Sequence, residues 1–217
     1  MKFTQIDISK WARAEMFYYF SKTAPTGYSV TTEINVTRLK STLRDKGIKI
    51  FPAYLWLCTK NLGNQPEFTT AYKDDILGYY DILTPLYPCF HEDTKTVSLL
   101  WTEYSDSFPV FYERYLNDKA AYGNNHSILA KPNILPPENC YTVSCIPWLE
   151  FTHFSVHSYE NKPYFFPSLE AGKITVRNGE FFMPLSMTCH HAATDGYHVS
   201  EFIRSLQSDC DNFGEFL

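Results

Sequence analysis

The sequence holds, at His190-His191-Ala192-Ala193-Thr194-Asp195-Gly196-Tyr197-His198, three imidazoles, one carboxylate and a glycine. The apolar run 181–189 before it is typical of a buried strand, and apolar residues recur at helical spacing over 199–206 after it. The stretch is therefore predicted to be the turn between a strand and a helix. Adjacent side chains on a strand point to opposite faces, so we expect one histidine of the pair at 190 and 191 to be a reactive base and the other to pack.

Asp195 stands near the predicted start of the last helix, where a carboxylate can accept backbone N–H bonds and complement the helix dipole. The residues of this stretch fit three interpretations: an active-site turn, a capped helix with two histidines satisfied in the core, or a metal site formed by His190, His191 and Asp195. The stretch alone does not choose among them.

The composition predicts a packed globular protein. Of 217 residues, 44% are hydrophobic and 20% are charged, so we expect a single domain over residues 1–217 rather than disorder. Aromatic residues reach 17%, which indicates an aromatic-lined cavity, a subunit interface or simply an aromatic-rich core.

Charge and hydropathy exclude several classes of protein. The net charge is −5 and no basic run is present, which disfavours a nucleic-acid-binding protein. No stretch approaches the length of about 20 apolar residues that a membrane span needs, and the N-terminus lacks an apolar signal region. The six cysteines have no C-x-x-C spacing and are expected to be free thiols. We therefore expect a soluble cytoplasmic enzyme.

Periodicity and turn residues predict alternating helices and strands. Helices are predicted at 10–22, 37–46, 52–62 and 106–122 and after Asp195, and strands at 28–36, 68–72, 76–81, 89–91, 96–104, 141–146, 151–156, 164–166, 173–176 and 181–188. Asn178-Gly179 is a strong hairpin turn. This order predicts an α/β fold, a two-layer sandwich with helices packed on a mixed β-sheet.

Three separated motifs carry a resemblance to a known family. The pattern H-H-x-x-x-D-G resembles the signature of coenzyme A dependent acyltransferases, and H-H-A-A-T-D-G-Y-H is similar to the type A chloramphenicol acetyltransferase branch. The resemblance makes the second histidine, His191, the catalytic base. The segment Ser144-Cys145-Ile146-Pro147-Trp148 matches the branch's S-x-x-P-W, and Arg13 in Trp11-Ala12-Arg13 matches the arginine that pairs with Asp195. The resemblance covers nearly the whole chain.

The resemblance implies the fold, a homotrimer with active sites at subunit interfaces, acetyl-CoA as co-substrate without a metal, and chloramphenicol as acceptor, hence antibiotic resistance. It assigns Ser144 to the oxyanion and places Phe20, Phe154 and Val156 in the acceptor pocket. Taken singly, Ser144 is an ordinary strand serine, Arg13 a solvated cation and the three hydrophobic residues core positions.

The departures from the branch concern the acceptor. Thr188 replaces a Gln, Glu170 replaces a Thr, and Thr26 stands where a Cys is common. A carboxylate near the pocket of a neutral antibiotic carries a desolvation cost unless it is paired or exposed. Two alternatives therefore remain: the same chemistry on a different hydroxylated small molecule, and a non-catalytic ligand-binding homologue. A zinc pair at His153 and His157 is disfavoured because nothing nearby completes a ligand set.

Overall fold

The computed structural model describes residues 1–157 and 164–217. The helices are α1 (Ala14–Tyr18, continued by a π-helical turn over Tyr19–Thr23), α2 (Thr37–Asp45), α3 (Ile50–Gly63), α4 (Phe108–Tyr122) and α5 (Gly196–Asp211), with 3₁₀ turns at Pro66–Thr69 and Phe213–Phe216. The strands are β1 (Phe3–Gln5), β2 (Gly27–Asn35), β3 (Thr70–Lys73), β4 (Ile76–Tyr80), β5 (Thr84–His91), β6 (Thr96–Trp101), β7 (Cys140–Cys145), β8 (Ser168–Ala171), β9 (Thr175–Arg177) and β10 (Glu180–His190).

The strands form two sheets. The larger has the order β2-β10-β8-β7-β5-β6 with β9 paired to β10, and β7 runs parallel to both β5 and β8 while the other pairs are antiparallel. The smaller sheet has the order β1-β4-β3. The predicted mixed α/β architecture is confirmed.

The two faces of the larger sheet differ in chemistry because strand side chains alternate. Leu169, Leu185 and Met187 point to the face that packs with the buried residues of the helices in the main core. The opposite face, here called the polar face, carries Thr31, Ser144, Glu170, Ser186 and Thr188. The register aligns Ser144 with Glu170, Glu170 with Ser186, and Ser186 with Thr31. A single row of polar side chains thus crosses four strands.

Two turns follow directly from their sequences. Asn178 and Gly179 adopt φ values of 52° and 82° and join β9 to β10, as the Asn-Gly pair predicts. Asp74 and Asp75, at φ 49° and 63°, join β3 to β4. Short polar residues and glycine tolerate this left-handed backbone, which explains why the hairpin at Asn178-Gly179 could be predicted.

Two predicted strands are wrong. Residues 151–156 and 164–166 lie outside any strand. The first segment crosses the polar face, where the Ser186 hydroxyl donates to the carbonyl of Phe154 and the Thr188 hydroxyl accepts from the Val156 N–H at 3.4 Å. Its backbone is thus bonded to side chains of β10, which replace the bonds of a neighbouring strand.

The first helix begins later than predicted, at Ala14 rather than Lys10. Asp7 explains the difference, because its carboxylate accepts from both the backbone and the hydroxyl of Ser9 and closes a turn. None of the helices in the described ranges combines the length and the apolar composition that a membrane crossing requires.

Candidate active site

The histidine stretch forms the predicted strand-to-helix turn. Strand β10 ends at His190, residues 191–195 make the turn, and α5 begins at Gly196. Asp195 is the N-cap of α5, since the Tyr197 N–H donates to its Oδ1 at 3.0 Å. The two histidines are therefore fixed at the junction of the sheet with the last helix.

His191 is held in one tautomer by its own turn. Its Nδ1 lies 3.0 Å from the carbonyl oxygen of Thr194. Because a carbonyl oxygen only accepts, Nδ1 carries the proton and the neutral ring leaves a free lone pair on Nε2. The ring of Phe20 stacks on the imidazole with centroids 4.1 Å apart, and Tyr28 meets it edge-on at 5.3 Å. These contacts hold the imidazole in one orientation.

His190 faces the other way and packs. Its Nδ1 accepts from the Ala192 N–H at 3.1 Å, and Phe165 meets its ring edge-on at 4.9 Å. Burial lowers the pKa of His190, and the neighbouring His191 lowers it further. The ring is therefore a neutral structural group with one nitrogen already engaged.

Arg13 fastens the turn with three hydrogen bonds. Its guanidinium donates to the carbonyl oxygens of His191 at 3.0 Å and Ala192 at 2.9 Å, and to Asp195 Oδ2 at 2.8 Å. The side chain is only 11% exposed, so it is a partner of the turn and not a solvated cation. The pairing with Asp195 that the resemblance implies is present in the structure.

Asp195 is stabilised as a carboxylate. Partial burial raises its pKa, but the hydrogen bond from Arg13, the nearby charge of His198 and the Tyr197 N–H outweigh that effect, so the pKa lies below its usual value. His198 Nδ1 lies 3.0 Å from Asp195 Oδ1. The carboxylate thus joins α5, the turn and Arg13.

Ser144 lies on β7 in the polar row and is partly exposed. His191 stands five residues beyond Ser186 along β10, and Ser186 is two strands away from Ser144. With about 3.3 Å per residue and about 4.8 Å between strands, the Cα atoms of His191 and Ser144 are roughly 19 Å apart. One chain does not bring these two side chains together.

The three expected pocket residues fall in two places. Phe20 lies against His191. Phe154 and Val156 belong to the segment that crosses the polar face, and both are anchored to β10 through Ser186 and Thr188. The structure therefore places Phe20 beside His191, and Phe154 and Val156 over strand β10 on the polar face.

Sequence reasoning missed the structural role of the polar row. Glu170 is only 1% exposed, and the Ser168 hydroxyl donates to its Oε1. Its Oε2 is buried without a hydrogen-bond partner among the described residues. Burial raises the pKa of Glu170 to about 7, against the opposing effect of Ser168. The alternation Ser168-Leu169-Glu170-Ala171 is the signal that could have placed Glu170 on this face.

In the described ranges the candidate residues belong neither to a metal-binding cluster nor to the lining of the best-defined cavity. In the ranges 1–157 and 164–217, no group of three His, Cys, Asp or Glu side chains could hold a metal ion. A cavity of about 390 Å³ lies between the N-terminal segment and the turn at Pro66–Thr69, and its lining includes Trp11, Glu67 and Tyr79 but none of the candidate site residues. This cavity is therefore separate from the turn and the polar face.

Comparisons with known proteins agree along the whole chain. The profile of the chloramphenicol acetyltransferase family matches residues 1–207. A chloramphenicol acetyltransferase from Clostridium butyricum is 37% identical over 218 residues, covering 100% of this chain and 99% of that protein. One from Staphylococcus aureus is 36% identical and covers 100% of both chains.

Solved structures show the same fold. A chloramphenicol acetyltransferase structure superposes with a TM-score of 0.82 at 24% identity, covering 95% of this chain and 99% of that one. A dihydrolipoamide acetyltransferase from Azotobacter vinelandii gives a TM-score of 0.66 at 14% identity, covering 100% of this chain and 93% of that one.

Proposed function

Because this chain belongs to the chloramphenicol acetyltransferase family, we propose that it transfers the acetyl group of acetyl-CoA to a hydroxyl of chloramphenicol and so confers resistance to the antibiotic. In this proposal residues 1–217 form one acyltransferase domain that works in the cytoplasm. The observation that carries the proposal is the full-length family match together with a histidine whose Nε2 is left unprotonated by its own turn.

His191 is the proposed general base. Acetyl-CoA supplies the acetyl group as a reactive thioester, and the attacking alcohol must lose a proton as the new ester bond forms. Since Nδ1 of His191 donates to Thr194, its Nε2 is the atom that can take this proton and later return it to the departing thiolate. The stacked ring of Phe20 limits rotation of the imidazole, which supports this orientation.

Ser144 is the proposed oxyanion donor. Negative charge develops on the carbonyl oxygen when the alcohol attacks, and a hydroxyl placed there stabilises the transition state more than the ground state. The base and this donor must both lie close to one reacting carbon, within a few ångströms of each other. Their separation of roughly 19 Å in one chain supports a site shared between copies.

We therefore propose a homotrimer in which His191 of one copy faces Ser144 of the next. In a closed ring the contact between copies is head-to-tail, so each interface brings together two different surfaces of the chain. Such an arrangement gives each interface one base and one oxyanion donor. The acceptor pocket would then be formed by Phe20 from the copy that supplies the base and by Phe154 and Val156 from the copy that supplies the donor.

Arg13 and Asp195 are proposed as positioning residues. Neither needs to touch the acetyl group, because both act on the backbone of the turn that presents His191. No metal is required, since a base and an oxyanion donor suffice for transfer from a thioester.

A second candidate function is the same transfer to another hydroxylated small molecule. The observation that favours it is Glu170, a buried carboxyl group in the row of Ser144 where the branch usually has a threonine. A changed polar group beside the reacting centre alters which acceptor is preferred.

Thiol release from acetyl-CoA tests the proposal. Purified protein is assayed with acetyl-CoA alone, with chloramphenicol, and with a panel of other alcohols, and the products are identified by mass. The proposal expects release that depends on chloramphenicol and an acetylated antibiotic. Release only with another alcohol would favour the second candidate, and no release with any acceptor would leave a non-catalytic homologue.

A further inference from the structure

Only one of the two carboxyl oxygens of Glu170 has a hydrogen-bond partner among the described residues, although the group is buried, where unpaired polar atoms are unfavourable. One oxygen, Oε1, is bonded to the Ser168 hydroxyl, while Oε2 is buried without a partner among the described residues. A buried polar atom without a hydrogen-bond partner destabilises the folded state. The unpaired oxygen of Glu170 lies in the same row as Ser144, the proposed oxyanion donor, and is therefore a candidate for a function at that site.

The register defines the neighbour of Glu170. Ser144 pairs with Glu170 between the parallel strands β7 and β8, so both side chains lie on the polar face about 5 Å apart at Cβ. Within the described part of the chain the Ser144 hydroxyl has no hydrogen-bond partner, and side chains at this Cβ separation can contact each other. The other neighbour in the row, Ser186, is already committed to the carbonyl of Phe154.

We propose that Glu170 is a positioning residue that works in its protonated form, donating from Oε2 to the Ser144 oxygen and so turning the Ser144 hydroxyl toward the oxyanion. The ionised form reverses this bond, because a carboxylate only accepts and draws the Ser144 hydroxyl to itself. It also places a negative charge beside a developing negative charge. The inference rests on the proposed oxyanion role of Ser144.

The surroundings of Glu170 permit a neutral carboxyl group. On the polar face its described neighbours are the hydroxyls of Ser168, Ser144 and Ser186, none of which is charged. From the core side Tyr54 interacts with Glu170, and burial raises the pKa of this phenol well above its usual value, so it remains neutral near pH 7.

The segment over the polar face adds no charge at this point. Its ionisable residues in the described range, Glu150, His153 and His157, are all exposed to solvent, and the partly buried side chains are those of Phe151, Phe154 and Ser155. Burial is thus the main influence on Glu170 and raises its pKa to about 7. The change between protonated and ionised Glu170 would then fall near neutral pH, where the enzyme is proposed to work.

The test is the pH profile of kcat/KM for acetyl transfer to chloramphenicol, measured by thiol release. For the wild type we expect ionisation of Glu170, with a pKa of about 7, to lower kcat/KM by up to about 25-fold between pH 6.5 and 8.5. In Glu170→Gln the side-chain amide donates permanently, so we expect activity within a few fold of wild type at pH 6.5 and no falling limb.

A second variant keeps the test independent of how well Glu170→Gln folds. The Ser168 hydroxyl stabilises the ionised carboxylate, so Ser168→Ala should move the falling limb to higher pH. A wild-type profile that rises to a plateau, or a limb that is unchanged in both variants, would overturn the role of Glu170 alone. Absence of transfer by the wild type at every pH would instead remove the proposed function, and this role with it.

Discussion

The imidazole Nδ1 of His191 lies 3.0 Å from the carbonyl oxygen of Thr194, three residues further along the same turn. The backbone thus sets the tautomer of the proposed base without help from a carboxylate. Asp195, the carboxylate of the stretch, is bonded instead to Arg13 and to the start of α5. Orientation of the base and stability of the turn are therefore carried by different groups and can be tested separately.

Replacement of His191 by Asn separates the base from its support. The Asn amide nitrogen can take the place of Nδ1 and donate to Thr194, but nothing replaces Nε2. We expect kcat to fall by about 10³-fold or more, with the melting temperature close to that of the wild type. Thiol release and thermal unfolding measure the two quantities. Substantial remaining turnover in a folded variant would contradict the assignment of the base.

Removal of the Ser144 hydroxyl should affect turnover more than folding. The side chain is partly exposed and makes no hydrogen bond within the described residues, so we expect Ser144→Ala to melt as the wild type does. The loss of one oxyanion donor predicts a decrease in kcat of about 10²-fold. Ser41→Ala on the surface of α2 is the matched control and should be neutral. An equal result for both variants would speak against the oxyanion role.

Arg13→Lys tests the fastening of the turn. Lysine keeps the charge but not the planar fork that reaches His191, Ala192 and Asp195 together. We expect a loss of about 2 kcal/mol in the free energy of unfolding, the size of a charged hydrogen bond in a partly buried site, and a reduced kcat. Denaturant unfolding and steady-state assays would show both. An unchanged free energy of unfolding and an unchanged kcat would mean that the turn does not depend on Arg13.

Ser186→Ala should loosen the segment that crosses the polar face. Its hydroxyl donates to the carbonyl of Phe154, so the KM for the acceptor should rise severalfold while the KM for acetyl-CoA stays the same. Thr31→Val is the control, because Thr31 donates to Ser186 but does not reach the segment. A comparable rise in both variants would argue that the row matters as a whole and not through Phe154.

The stability of the protein should depend on pH through Glu170. Its pKa is raised from 4.5 to about 7 on folding, so its favourable contribution is complete below pH 4.5 and is lost as the pH rises through about 7. The loss amounts to roughly 3 kcal/mol at most. Glu170→Gln should therefore melt at a higher temperature than the wild type at pH 8.5 and show little difference at pH 5. A difference that does not change with pH would exclude this burial effect.

The local parts of this fold could be predicted from sequence because their signals are local. Asn178-Gly179 fixes a hairpin, and the change from buried strand to helical spacing around Asp195 fixes the turn that bears His191. The sequence predicts a strand at 151–156, yet the backbone of this segment is bonded to the side chains of Ser186 and Thr188. No sequence period reports such bonds.

Which residues from distant parts of the sequence lie side by side depends on the sheet register. The sequence places Ser144 on a strand but does not say which strand lies beside it, so neither the neighbour Glu170 nor the separation from His191 could be predicted. Glu170 is buried on the face of the sheet that the segment 151–156 crosses. These are properties of the assembled fold rather than of any one stretch.

The most direct test of the shared site combines a chain that lacks the proposed oxyanion donor with a chain that lacks the proposed base. Ser144→Ala and His191→Ala chains are coexpressed with different affinity tags, and oligomers that carry both tags are isolated and assayed for thiol release. If His191 of one copy acts with Ser144 of the next, every doubly tagged trimer contains one intact interface of three, so it should regain about a third of wild-type activity although each variant alone is nearly inactive. Doubly tagged oligomers that remain as inactive as the parent variants would contradict the account.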